Sequence, residues 1–292
     1  MWVGDILLLY AWLGFVLIAF RKKSDQWLLK AAFICLFTSV LLYPLRFIHP
    51  YVHMGTPIGA IVYGLAPVLG FDLQTFDPQS AFGGSGWVQY FKVNILALFF
   101  RQSDLFDQVR PFKVFAMFLL GLWVSRHAWY QYPDRFMVFA RPYVKWVLPV
   151  AVVINVAMAL ISWDNYYAGS LMGWLKTLLY FLGVVPLSLC YVYLFCKVWL
   201  SGRYHWLNGF TYVGRMALTN YLLHSVLYMI LFRGPFLALA GQVGLLALMV
   251  PVLVFFPVQV VASRWWLQRY RYGPAEWLWR SFTYKSWQPI KR

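Results

Sequence analysis

What most constrains this chain is a succession of apolar runs, each long enough or nearly so to cross a bilayer, with charge confined between them. A spanning helix needs ~20 residues, at ~1.5 Å each, to cover a hydrocarbon core ~30 Å thick. Seven runs are read as spans, at about 4–20, 28–48, 111–128, 144–162, 171–199, 209–232 and 236–262. The first and third are short. The fifth and seventh are long and hold Pro186, Pro251 and Pro257, where a missing backbone donor favours a bend. Backbone groups in lipid must satisfy one another, so the expected fold is all-α, a polytopic transmembrane bundle. Composition agrees. With 62% hydrophobic and 12% charged residues, polar surface is too scarce to cover a water-soluble globule. Aromatics at 21%, including 16 Trp, suit a protein with two membrane–water interfaces. No polar linker divides the runs, so residues 1–292 are read as one membrane domain. Its end, 264–292, is read as a basic tail carrying an interfacial helix.

Between the second and third runs lie IGAIVYGLAPVLGF at 58–71 and WVQYFKVNILALFF at 87–100, with the turn-rich FDLQTFDPQSAFGGSG joining them. Each apolar piece is too short for a comfortable span. They are expected to form outer-side interfacial or re-entrant helices over 58–100. A tilted pair of extra spans is the alternative, and it leaves the orientation downstream unchanged.

Charge sets the orientation. Arg21, Lys22, Lys23 and Lys30 follow the first run, and Arg126, Arg135, Arg141 and Lys145 follow the third. Lys197, Arg203 and Arg215 lie between the fifth and sixth. The tail holds Arg264, Arg269, Arg271, Arg280, Lys285, Lys291 and Arg292. Seven spans with an outside start put all four groups on one side, which the positive-inside rule makes cytoplasmic together with the C-terminus. The 163–170 loop is then outside. The net charge of +16 is thereby accounted for by membrane topology. There is no basic low-complexity tail, zinc spacing or RNA-binding signature, so nucleic acid is not a partner and the bilayer is. Cys35, Cys190 and Cys196 lie inside apolar runs and read as packing residues; no metal is assigned. The opening MWVGDILLLYAWLG has no basic n-region. It reads as an internal membrane segment whose upstream partner is absent rather than as a signal peptide.

The sixth run, GFTYVGRMALTNYLLHSVLYMILF, is the most polar of the long ones. At helical spacing Asn220, Tyr221 and His224 share an arc of about 100°, with Tyr228 on the same side and Arg215 and Thr219 in a second stripe. Such residues either hold helices together or line a wet cavity. His224 has no carboxylate four residues away, so any orienting partner must come from another helix. Asp5 either caps a helix N-terminus or faces the cavity and orients a histidine. In the tail, RYGPAEWLWRSFTYKSW, Gly273-Pro274 starts a helix on which Glu276 and Arg280 stand four apart and can pair. That helix is either a membrane-surface anchor or a place where Arg271 and Arg280 meet an anionic cytosolic ligand. His49 and His53 share spacing but have Pro50 between them and no third ligand in register, so they read as loop histidines.

GDILLLYAWLG at 4–14, GRMALTNYLLHS at 214–225 and GPAEWLWRSFTY at 273–284 resemble the YeiB-like family of bacterial inner-membrane proteins. The third segment is the most specific. The likeness spans essentially the whole chain, with 49–110 the nonspecific part. It implies that the chain corresponds to the C-terminal two-thirds of the family fold, whose members carry further helices ahead of GDIL with an Asp-x-x-Arg-Gly motif and a histidine. It also implies that 1–292 alone is inactive as an enzyme. Where the family commonly has glutamine this chain has His224, which argues against a family-wide catalytic histidine there. The family is similar to transmembrane acyltransferases, which pass an acyl group from a cytosolic donor, often acyl-CoA, to a glycan or small acceptor; no covalently held cofactor is implied. On that resemblance Arg215 and Arg280 meet donor phosphates, and Thr219, Asn220, Tyr221 and Glu276 complete the ligand site. Asp5 and His224 are the only catalytic candidates. The alternatives are a small-solute transporter or channel-like protein, and a non-catalytic membrane partner of another protein.

Overall fold

The computed structural model describes residues 6–49, 52–74, 86–203, 207–232, 236–237, 239 and 242–292. Among them the chain is all-α. The helices are α1 (Leu7–Phe20), α2 (Asp25–Leu42), α3 (Leu45–Ile48), α4 (Thr56–Leu69), α5 (Trp87–Asp107), α6 (Arg110–Arg126) and α7 (Pro133–Ala159). There follow α8 (Trp163–Tyr167), α9 (Leu171–Leu200), α10 (Asn208–Arg215), α11 (Ala217–Phe232), α12 (Leu245–Arg269) and α13 (Pro274–Thr283). Four helical stretches are long and apolar enough to cross a membrane: Asp25–Ile48, Pro133–Ala159, Leu171–Leu200 and Leu246–Arg269. Leu7–Phe20, Thr56–Leu69 and Ala217–Phe232 are apolar but shorter. The long helices leave rows of large apolar side chains uncovered, such as Trp146, Val153 and Leu253, as contact with lipid requires.

Several boundaries moved from the expected ones. The 209–232 run is two helices, because Met216 leaves helical geometry at φ −115, ψ 31. The helix expected at 144 begins at Pro133, with proline suited to a first turn. The helix expected at 236–262 runs Leu245–Arg269. The second piece of the 58–100 region is 21 residues long and continues to Asp107.

The chain divides into two compact units. The first comprises Val3–Gly70 and Leu96–Ser201, the second Phe71–Ile95 and Gly202–Arg292. In the first, α2 packs on α6 and α9, α6 on α1, and α9 on α7 and α8. Leu28, Ala32 and Leu36 recur every four residues along α2 and meet Ala116 and Leu119 of α6. The alanines let the two backbones approach closely, which is how helices gain packing energy in lipid.

The two ends of this unit are tied differently. At one, Arg126 closes α6 by donating to the Arg21 carbonyl at 2.7 Å, the Lys23 carbonyl at 2.6 Å and Asp25 Oδ1 at 2.8 Å. It thereby serves carbonyls left over at the end of α1 and fastens the α1–α2 turn. At the other end the Tyr43 hydroxyl is shared between the carbonyls of Asn165 (3.1 Å) and Tyr166 (3.0 Å), and Trp174 Nε1 donates to the Val40 carbonyl at 3.3 Å. Gly169, at φ +66, lies against the Arg46 backbone, where a Cβ would collide. In the second unit α10 packs on α12 and α11 on α13.

Candidate functional site

A cavity of ≈ 690 Å³ opens within the first unit. Its walls follow from helical periodicity. On α6 the lining residues are Arg110, Lys113, Val114 and Met117, a stripe at i, i+3, i+4 and i+7. On α9 they are Lys176, Thr177, Tyr180, Val184, Val185 and Ser188. Leu36 of α2, Met158 of α7 and Trp163, Tyr166 and Tyr167 of α8 complete most of the wall. The charged residues sit at the α8 end and the aliphatic ones deeper along α6 and α9, so the cavity is amphiphilic. Arg110, Lys113 and Lys176 line it and, among the described residues, no carboxylate does.

Lys176 is buried and donates from Nζ to the Ile161 carbonyl, with the ammonium 4.3 Å from the Trp163 ring centroid. Lys113 Nζ lies 4.4 Å from the Tyr180 centroid. Aromatic faces attract cations but do not neutralise them. The described lining therefore carries three cations, with the Asp104 carboxylate set behind it on Gln108, and an anion is the species that lining favours.

Beside the cavity, sharing Tyr166 with it, is a buried charge node packed around a void of ≈ 10 Å³, at the lower limit for one water. Arg46 of α3 pairs with Asp107 at the end of α5, both buried. The Arg46 guanidinium stands 4.8 Å from the Tyr166 ring centroid, and the Tyr166 hydroxyl donates to the Asp107 carbonyl at 3.1 Å. Burial, above all, pushes the Tyr166 phenol up to about 12, so it remains a donor at neutral pH. His53 Nδ1 lies 3.1 Å from Asp107 Oδ1 and accepts from the Gly55 N–H at 3.1 Å. Burial first, and then the Arg46 charge, hold the His53 pKa below its ordinary value, which keeps Nδ1 free to accept.

Between node and cavity stands Val109, buried and in left-handed geometry at φ 53. A β-branched residue resists that conformation. Here it turns the chain from α5 into α6, so that Asp107 serves the node and Arg110, three residues on, serves the cavity. Strain of this kind gathers where surrounding structure holds a site in place.

The polar residues singled out in the sequence lie in the second unit. Glu276 of α13 accepts from the Thr219 N–H at 3.0 Å and from its hydroxyl at 2.5 Å, and the Ala275 N–H donates to Thr219 Oγ1 at 3.1 Å. Glu276 thus caps the first turn of α11 from another helix. Arg280 lies over the Tyr272 ring, 4.7 Å from its centroid, so each member of the expected Glu276–Arg280 pair faces elsewhere. Gly273 sits where a Cβ would meet both Glu276 and Thr219. Asn220 is buried and donates to Ser263 Oγ at 3.1 Å and to the Val213 carbonyl at 3.3 Å, while Gln259 donates to its carbonyl at 3.3 Å. Tyr221 is half-buried. His224 is exposed and meets Phe255 edge-on at 5.2 Å. Arg215 is exposed and donates to the Arg271 carbonyl at 3.4 Å. Asp5 lies outside the described residues. Among the described residues no group of His, Cys, Asp and Glu is arranged to hold a metal.

The family model described as "Protein of unknown function (DUF418)" matches residues 124–286, more than half the chain. The uncharacterized protein YxaH of Bacillus subtilis is 32% identical over 305 residues, a match covering 100% of this chain and 69% of YxaH. The uncharacterized protein YeiB of Escherichia coli is 29% identical over 176 residues, covering 59% of this chain and 44% of YeiB. No solved structure matches.

Proposed function

Since the chain belongs to the DUF418 family and is a helical membrane protein, we propose that it acts as a membrane-embedded acyltransferase-like protein, moving an acyl group from a cytosolic acyl-CoA-class donor to a glycan or small acceptor. The observation that carries this reading is the amphiphilic cavity, which joins three cations to an aliphatic recess in one membrane-embedded space. A transporter for a small hydrophilic solute has no use for the aliphatic half.

In this reading α1, α6 and the α10–α11 pair join the four long helices as spans, giving seven. The four basic groups and the C-terminus then lie in the cytoplasm of a bacterial inner membrane. Arg215 and Arg280 face the donor's phosphates, with Thr219, Asn220, Tyr221 and Glu276 shaping that end. Asp5 and His224 are candidates for the reacting centre. The cavity mouth, beside the 163–170 loop, serves the acceptor.

The test uses inside-out membrane vesicles carrying the chain, alone and joined to the part of YxaH that the match leaves uncovered. Acetyl-CoA labelled in the acyl group is supplied on the cytoplasmic face. Thiol release and label in the membrane saccharide and lipid fractions are measured. Protein-dependent labelling by the joined form is expected. Uptake of a solute with no label transferred by either form would replace this reading with transport.

A further inference from the structure

The cations of the cavity stand at the wrong end of the unit for membrane topology to explain. Arg126, by bonding to Arg21, Lys23 and Asp25, shows that the α1–α2 turn and the end of α6 share one face of the bundle. That face carries the basic loops. Arg110 and Lys113 open α6, and Lys176 lies in the second turn of α9; all three are therefore at the opposite end. Tyr43, Asn165 and Tyr166 bind one another there. Lysines and arginines are depleted on that side unless something requires them. A buried lysine there is costly unless it meets a charge.

Three further observations narrow what it meets. The first is charge: three cations, with no lining carboxylate among the described residues, are matched poorly by one carboxylate and well by a phosphate carrying one to two negative charges. Lysines bind phosphate as point charges. The second is depth. From Lys176 to Ser188 the α9 wall descends twelve residues, or ~18 Å, close to the ~15 Å hydrocarbon half-thickness of a bilayer. The third is chemistry along that depth, where Leu36, Met117, Val184 and Val185 replace the cations. A soluble phosphate would leave this apolar space unused.

We infer that the cavity binds a phosphate-bearing membrane lipid drawn from the outer leaflet, its phosphate held by Lys176, Lys113 and Arg110 and its chain along α6 and α9. The inference takes its leaflet from the proposed orientation, and rests on the proposed acyl transfer only in calling this lipid the acceptor or the carrier of the acceptor.

The probe is dioleoyl phosphatidic acid. The full chain is placed in phosphatidylcholine nanodiscs doped with phosphatidic acid or with dioleoylglycerol, and the retained lipid is read by native mass spectrometry. Inorganic phosphate is added in a third arm. Retention of phosphatidic acid over dioleoylglycerol is expected, falling at least about tenfold in Lys113→Gln and in Lys176→Gln. Lys22→Gln, in the α1–α2 turn on the other face, should retain it in full. Because Lys176 also holds the Ile161 carbonyl, Lys113→Gln is the variant judged first if Lys176→Gln melts early. No preference for phosphatidic acid in the unaltered protein overturns the proposal, as does binding of inorganic phosphate alone. Lipid retention that is lost in Lys113→Gln, with no acyl group moving in the transfer assay, keeps the site and removes acyl transfer. Acyl transfer undiminished in both lysine variants, with lipid retention lost, keeps both the activity and the site and removes this lipid's role as acceptor.

Discussion

In the second unit the polar side chains of α11 are turned onto their neighbours: Thr219 onto Glu276, Asn220 onto Ser263. In the first, Arg110, Lys113 and Lys176 line a cavity, and the two lysines meet aromatic faces and a carbonyl rather than a carboxylate. The segments most recognisable by their wording, 214–225 and 273–284, are joined to each other through Thr219, Glu276 and the Ala275 N–H. The cations that line the first unit's cavity belong to none of those segments, although His224 of 214–225 lines a second, apolar cavity of ≈ 500 Å³. Polar groups in lipid are costly whichever use they serve, so cost alone does not separate a joint from a binding site. What separates them is whether the partner is already present.

The contrast can be broken most severely at the charge node of the first unit. Arg46→Met should leave Asp107 buried and unpaired, lowering stability by about 3–5 kcal/mol, whereas Arg46→Met with Asp107→Leu should recover most of the loss. Thermal unfolding in detergent, followed by tryptophan fluorescence, measures both. Equal losses in the single and double variants would mean that the pair is not what holds α3 to α5.

A smaller effect is expected across the joint of the second unit. Glu276→Ala removes the cap of α11 and should cost about 1–2 kcal/mol. Hydrogen exchange should rise first in the opening turn of α11. Unchanged exchange there would place the joint's strength in the apolar packing of α13 instead.

The smallest effect separates the units by pH. His53 has a lowered pKa in the folded chain, against 6.5 as its ordinary value. As pH falls below that value the unfolded chain takes up the proton first, so stability drawn from neutral His53 is complete above about 6.5 and declines on acidification. The groups facing it are the Arg46 guanidinium, the Asp107 carboxylate and the Tyr43 and Tyr166 phenols, and burial raises the Tyr166 phenol further above that range. Melting at about pH 5.5 should fall relative to about pH 7.5, and His53→Gln should flatten the difference. An unchanged slope in the variant would assign the pH dependence elsewhere.

Much of the fold was legible from apolar run length. The first, second, third and fifth runs all became helices near their expected places. The break at Met216 was not legible from the apolar run, and the bonds that cap the helix after it join Thr219 to Glu276, 57 residues away. The cavity was hidden for a different reason. Reading charge by loop accounts for four basic groups and leaves Arg46, Lys92, Arg101, Arg110, Lys113, Lys176 and Arg233 over. Three of those residual cations line the cavity and a fourth forms the node. The residue of a topology argument was thus the available signal. His53 was read as a loop histidine because its partners, Asp107 and Gly55, follow from the α5–α6 turn rather than from spacing.

The grip of Arg126 on the α1–α2 turn has a consequence for how the chain is made. Its three partners, Arg21, Lys23 and Asp25, precede it by 105, 103 and 101 residues. At ~5–20 residues per second, translation takes about 5–20 s to cover that distance. Through that interval the bonds that Arg126 makes in the finished structure are absent, so the α1–α2 turn reaches its final form only after α6 has been added.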